Sequence, residues 1–501
     1  MSAAAGRGLL VGGTTSDAGK TVLVTGLCRA FARRGLRVAP FKAQNMSNTT
    51  VVVAEPGGAL TEIGRAQQVQ ARAAGARAES AMNPVLLQPA GDRTSHVLVR
   101  GRPAGRLGAG EFATGRAHLA AAAFEALDDL RSRYDLVVCE GAGSIAEINL
   151  RARDYVNLGL ARHGDLPTVV VGDIDRGGVF AALLGALAVL EPADQALVAG
   201  FVVNNFRGDP ALLRPGLDDL AARTGRPVFG VLPHAEGLWL DAEDSLSALR
   251  APTDDDTGAD GEPLTVAAVA LPRAAQVTDL DALAAEPRVR LRPVSSPRGL
   301  SGADAVIVPG SRAVVSDLDW LRARGLGAAL TDFAARGGTV LGLGGGHQML
   351  GTRIRDTSGV EAPAGTDVPG LGLVDAITEY GTERILELAG SDGPHGAFRA
   401  GHGVTTGPET DWSAQITGTA LHETLTDTRI RARWLRAVAA RAGVDPAGLG
   451  ETDVAAEREA RIDRIADLVE THLDLDRIID LTANPPRPPT LRVTKEEADH
   501  R

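Results

Sequence analysis

The sequence predicts an α/β protein with two parallel-sheet domains in tandem, and three observations carry that prediction. Short apolar runs alternate with amphipathic stretches of helical period from residue 8 to about residue 250. The alternation stops in an acidic segment containing Pro and Gly, then resumes at Leu264. Several runs, such as Leu136–Glu140, are apolar throughout rather than at every second position, which marks strands buried on both faces. Length agrees, because 501 residues exceed what one core organises and two domains of roughly 200 residues each is the ordinary partition.

Taken in order, the first domain (1–250) opens with a strand at 8–12, a helix over 20–34 and a strand at 36–41. Strands follow at 136–140, 168–173 and 199–204, each ending in polar residues. Ligands of open parallel sheets bind at those carboxyl ends. Residues 251–263 read as a linker. The second domain (264–480) has strands at 264–271, 289–293, 305–309 and 340–343, and a helical pattern over 452–480 that is expected to close it. Residues 481–501, with Pro485, Pro486, Pro488 and Pro489, read as a flexible tail.

Composition excludes several functions. A net charge of −11 without a basic patch argues against nucleic-acid binding. No run of about 18 apolar residues is present, and no export signal opens the chain, so a cytoplasmic protein without a membrane span is expected. Cys28 and Cys139 lie in apolar surroundings and read as buried, reduced thiols. No residue after 139 carries a thiol.

The stretch Gly13-Thr14-Thr15-Ser16-Asp17-Ala18-Gly19-Lys20-Thr21 joins the first strand to the first helix. Backbone N–H groups of such a loop, with the helix N-terminus, hold phosphates; Lys20 would neutralise them and the Thr21 hydroxyl would ligate Mg²⁺. The first glycine stands one residue further upstream than in the usual loop, with Thr14 in its place. Lys42, ending the next strand, read alone is a surface lysine; opposite Lys20 it becomes a phosphate or acyl-phosphate contact. Glu140 suits a Mg²⁺ ligand, or else a capped turn. Asp173 or Asp175 would aid the metal and Arg176 would steady substrate carboxylates. Asn204 is a candidate nucleotide contact, though strand-end asparagines also cap turns.

The longer loop resembles that of dethiobiotin synthetases. Together with Phe41–Ser47, Glu62–Gln67, Met82–Leu87, Glu140–Asn149, Gly172–Phe180, Phe206–Asp209 and Glu243–Ser245, it makes residues 8 to about 480 resemble the cobyric acid synthase family. The resemblance implies a P-loop domain of the dethiobiotin-synthetase type, followed by a flavodoxin-like class I glutamine amidotransferase domain. It implies ATP, Mg²⁺ and a corrinoid substrate, adenosylcobyrinic acid a,c-diamide, whose b, d, e and g carboxylates are amidated through acyl phosphates. The family usually has lysines at Gln88 and Asn205, glutamine at His96 and proline at Ile145. Two missing positive charges near a polyanionic substrate would weaken its binding or change which acid is accepted.

In the second half, the resemblance places a cysteine nucleophile within Gly342-Leu343-Gly344-Gly345-Gly346-His347-Gln348, where this chain has Gly344. An elbow position is strained for a residue with a side chain, and glycine relieves that strain while removing the nucleophile. His422 falls at the family's general-base position; without a thiol, a packing or surface role is expected. The segment Ala397–Gly403 departs from the family's motif. Glutamine hydrolysis is therefore expected to be absent, with ammonia coming free or from a separate glutaminase. A ligase for another carboxylic acid, and an ATP-binding partner of an intact homologue, stay open. So does homo-oligomerisation.

Overall fold

The computed structural model describes residues 6–90, 94–108, 117–235, 238, 240, 262–389, 396–408, 410–486 and 488–491. Most of the linker (251–261) and the string Glu243–Ser245 lie outside the described residues.

The first half contains a six-stranded parallel sheet. Its order is Val228–Pro233, Val198–Phe206, Thr168–Asp173, Arg7–Gly13, Leu136–Glu140 and Val38–Phe41. The inner strands are rich in valine and buried along nearly their whole length, as β-branched side chains covered on both faces should be. A second parallel sheet of five strands organises the second half: Val289–Val294, Leu264–Val269, Ala305–Val308, Thr339–Leu343 and Ile416–Thr419. Both expected sheets are present, with strand limits close to those read from periodicity.

Smaller sheets add what the periodicity did not show. Thr50–Ala54 and Leu60–Gly64 form an antiparallel hairpin. Gln44–Met46, Val85–Ala90, Thr94–Val99 and Arg102–Gly108 form a mixed sheet beside it. In the second half, Ile377–Ala389 pairs antiparallel with Ala397–Thr406. Phe398 from that pair is buried in a cluster with Val51, Val52, Val53 and Ile63, so one hairpin from each half meets the other.

The C-terminal helices do not close the second domain. Val454–His472 lies along the first helix, Lys20–Arg33, and Ile462, Ile465 and Val469 share a core with Leu23, Leu27 and Phe31. Arg29 and Arg33 bind Asp463, and Arg33 also binds Asp467, along the same seam. Leu475, Ile478 and Leu481 from the last helix join that core. Amphipathic period shows that a helix buries one face, but not which sheet covers it. The expected tail is corrected in part as well. Gln195 Oε1 accepts from Leu491 N at 2.7 Å, and Arg226 Nη1 donates to the Pro489 carbonyl at 3.0 Å.

Truncating Ile465 to alanine opens a void between this helix and the phosphate-loop helix. A loss of about 2–5 kcal/mol of unfolding free energy is expected in urea titrations. A change below roughly 0.5 kcal/mol, the range of surface substitutions, would rule out the packing described.

Candidate functional site

Two sites emerge, one at the top of each parallel sheet. In the first, the strand Arg7–Gly13 delivers the loop and Lys20 opens the helix. Gly19 adopts φ 96°, and a Cβ there would fall 2.0 Å from Asn204 Nδ2, so the turn requires glycine. Asn204 is itself committed: its amide donates to the Ala18 carbonyl at 3.1 Å and braces the loop from the strand next but one in the sheet.

Lys20 Nζ sits among three carbonyls, those of Thr15 (2.8 Å), Ser16 (2.9 Å) and Gly143 (2.9 Å). Burial pulls its ammonium down to about 8, with Glu140 pulling the other way. Glu140 is 1 % exposed and held by three donors: Lys42 Nζ at 2.6 Å, Thr21 Oγ1 at 3.0 Å and Gln70 Nε2 at 2.5 Å. Burial alone would raise this carboxyl, but Lys42 and the other donors outweigh it and hold it below the usual range. Lys20, Thr21, Lys42 and Glu140 thus converge as read from the sequence. Gln70 was missed; its signal is the helix Arg65–Ala73, where Gln67 and Gln70 share the buried face three residues apart.

Thr21 Oγ1 and Glu140 Oε1 form a small all-oxygen donor set. It fits Mg²⁺, which keeps waters and takes phosphate oxygens rather than a full protein cage. Among the described residues, no group of three or more His, Cys, Asp or Glu side chains could hold a metal by itself. Asp173 lies on the other side of the loop from Glu140, since their strands flank Arg7–Gly13 from opposite edges. Its oxygens accept from Asp175 N (2.8 Å) and Asn205 Nδ2 (3.1 Å). Arg176 is exposed at the lip, 3.3 Å from Asp17 Oδ2. Thr14 N donates to the Val171 carbonyl, which anchors the start of the loop.

At the second site, Gly344 ends the strand Thr339–Leu343 and caps the helix Gly345–Leu350 with φ 49° and ψ −113°. A Cβ built there would lie 2.3 Å from His422 Cε1 and 2.6 Å from Nε2. The imidazole therefore fills the space a side chain at 344 would need. His422 is not a surface residue: it is buried, and its backbone pairs in both directions with Phe398. Burial pushes its basicity down to about 3, helped by Arg312, so the ring is neutral. Its Nδ1 has no hydrogen-bond partner among the described residues. Position 344, against which the ring packs, carries no side chain for it to deprotonate.

The elbow opens on a cavity of about 100 Å³ lined by Gly344, Gln348, Tyr380, Glu361, His402 and His422. Gln88 and His96, cross-strand partners from the first half, line it too. Gln88 was expected near a polyanionic substrate, and its place is beside the elbow cavity. It is 1 % exposed and donates to Glu62 in the junction between the halves. Burial raises the Glu361 carboxyl to about 8 and lowers the His96 imidazole to about 4.

Residues 9–247 match the CobQ/CobB/MinD/ParA nucleotide binding domain model, and residues 265–429 match the CobB/CobQ-like glutamine amidotransferase domain model. Cobyric acid synthase of Mycolicibacterium gilvum is 52% identical over 490 residues, covering 96% of this chain and 97% of the relative. That of Mycobacterium marinum is 53% identical over 486 residues, covering 95% and 96%. A glutamine amidotransferase crystal structure overlaps 36% of this chain and 98% of its own, with 18% identity and a TM-score of 0.26. No helix of the described residues is long and apolar enough to cross a membrane. With a nucleotide-binding half, an amidotransferase-like half and relatives half-identical across nearly the full length, the chain belongs to the cobyric acid synthase family.

Proposed function

We propose that this protein is an ATP-dependent amide ligase that amidates peripheral carboxylates of adenosylcobyrinic acid a,c-diamide with ammonia and does not hydrolyse glutamine. The observation that carries this reading is the contrast between the sites. The phosphate cleft has its cations, hydroxyl and carboxylate converged on one point, whereas the elbow has a histidine where a nucleophile would stand.

In the first step a substrate carboxylate oxygen attacks the γ-phosphorus of ATP, and ADP leaves. Ammonia then attacks the acyl carbon, inorganic phosphate leaves, and the extra proton passes to solvent. Lys20 and Lys42 stabilise charge on the transferred phosphoryl group, and Arg176 at the lip receives carboxylates not under reaction. Thr21 and Glu140 would hold Mg²⁺, which would neutralise phosphate charge there. Asp173 acts from the far side of the loop, with the Asn205 amide fixing its carboxylate.

The departures from the family pattern at Gln88 and His96 favour a change in nitrogen source over a change of acid. Both line the elbow cavity rather than the phosphate cleft.

Purified protein given ATP, Mg²⁺ and the a,c-diamide should form amides with an ammonium salt and not with glutamine, read by mass. Amidation from glutamine at a comparable rate would sink the proposal. Amidation from neither source, with nucleotide still bound, would favour a partner module. Glutamine with an added glutaminase should restore the product. Gly344→Cys is expected to leave glutaminase activity at background, because the new side chain must displace His422 from a strained backbone costing roughly 1–3 kcal/mol. A trapped glutamyl thioester in that variant would contradict this.

Nucleotide binding should also depend on pH. Polyphosphate favours the charged form of Lys20, so above about 8 the lysine must take up a proton to bind. Affinity for magnesium-free ADP should then fall by about tenfold per unit between roughly pH 8.5 and 10. Calorimetry giving a flat affinity across that range would remove Lys20 from the phosphate contact.

A further inference from the structure

One oxygen of Glu140 is claimed twice. Lys42 Nζ donates to Oε1 at 2.6 Å, and Thr21 Oγ1 donates to the same atom at 3.0 Å. The other oxygen, Oε2, accepts from Gln70 Nε2 at 2.5 Å. A metal joining Thr21 to Glu140 would therefore use Oε1, once the hydroxyl turns its proton away and offers a lone pair. The Lys42 ammonium stands on the oxygen that such a metal needs. A divalent ion and an ammonium on one oxygen repel strongly inside a protein, where water screens them poorly. Yet the carboxylate cannot be left bare, because it is 1 % exposed and a buried charge needs an opposite one.

Of the groups around Glu140, Lys42 is the one able to leave. Its backbone is fixed, with the N–H on the Met82 carbonyl at 2.9 Å and its own carbonyl accepting from Asn83 Nδ2 at 3.3 Å. Its side chain is 13 % exposed, and Glu140 Oε1 is its only acceptor among the described residues. A flexible four-carbon stem carries the charge. Lys20 differs, since three carbonyls surround its Nζ. Gln70 differs too: it is fully buried on the helix Arg65–Ala73 and touches only the oxygen that Lys42 does not.

We propose that Lys42 is an exchangeable counter-ion, which gives up Glu140 Oε1 to Mg²⁺ and then turns into the cleft to meet the transferred phosphoryl group. Gln70 keeps its hold on Oε2 throughout, so the carboxylate stays in place while the cations change. The inference rests on the proposed ligase reading, in which Thr21 and Glu140 hold the metal and Lys42 serves the phosphoryl group. It adds that the second task waits on the first. Without the exchange, one ammonium would have to neutralise a buried carboxylate and a phosphoryl group at once. With it, a buried acid is never left uncompensated, and the lysine is released only beside a metal-bearing nucleotide.

The chain makes a direct test possible, because it contains only three lysines: Lys20, Lys42 and Lys495. The full chain, without corrinoid, is treated with acetic anhydride in magnesium-free ADP or in ADP with Mg²⁺, and acetylation at each lysine is read by mass. Relative to Lys495, Lys42 should react about tenfold faster when Mg²⁺ is present, as expected for losing a hydrogen bond between charged groups. In Glu140→Gln, Lys42 should react at the faster rate with or without Mg²⁺. A slow Lys42 in that variant means that something other than Glu140 shields it, and overturns the proposal. An equal wild-type rate in both conditions, while Mg²⁺ still strengthens ADP binding in calorimetry, overturns the exchange and leaves the ligase reading intact. ADP binding indifferent to Mg²⁺ removes the metal assignment and the exchange together. A protein that shows the exchange but forms no amide from ammonium fails the ligase reading alone.

Discussion

The carboxylate of Glu62 is the point on which the two halves depend. It is fully buried, and one oxygen accepts from Thr50 Oγ1 and Gln88 Nε2, while the other binds Arg384. Arg312 stands 3.5 Å away. Burial would drive such a group to its neutral form, but Arg384 and Arg312 outweigh it and hold it down to about 2. Both arginines come from the second half, so separating the halves leaves a buried charge without its partners. Losing one partner of such a pair costs about 3–5 kcal/mol. The same hairpin offers Val51, Val52, Val53 and Ile63 to Phe398, and Gln276 bonds Thr50 through both of its amide atoms. Charge, apolar contact and backbone pairing all act on one hairpin.

That junction also governs the elbow. Arg312, positioned by Glu62, Thr50 Oγ1 and the Asn48 carbonyl, adds to the burial that keeps His422 neutral. Phe398 pairs with the His422 backbone while its ring sits in the interdomain cluster. The phosphate cleft is independent of this arrangement. Its groups are satisfied within the first half, by Gln70, Lys42, Thr21 and loop carbonyls. One chain can therefore hold Lys20, Lys42, Thr21 and Glu140 together in one half beside a glycine elbow in the other.

The phosphate loop was legible because its signal is local: a strand, a glycine turn and a helix within some fifteen residues. Lys42 and Glu140 were legible because strand ends in a parallel sheet gather at one edge. Gln70 was not, since its partner lies 70 residues away on a strand whose neighbours no periodicity names. Glu62 and Arg384, 322 residues apart, are further beyond reach of local pattern. The C-terminal helices show the same limit, because a buried stripe such as Ile462, Ile465 and Val469 fits either sheet until one is in contact. Proline spacing read the residues after 484 as a flexible tail, and gave no sign that Arg226 and Gln195 would bind Pro489 and Leu491.

Gly344 can now be understood through its neighbour rather than by what it lacks. Its φ of 49° and ψ of −113° strain a residue with a Cβ but not glycine, so the turn is relaxed as it stands. With no side chain there, the His422 ring occupies the free space and gains burial. It cannot simply swing away, because its backbone is locked to Phe398 and Phe398 is locked between the halves. A thiol at 344 would thus oppose both the local backbone and the interdomain packing. Restoring an elbow nucleophile requires moving the histidine and the strand that holds it, and so reaches into the junction organised by Glu62.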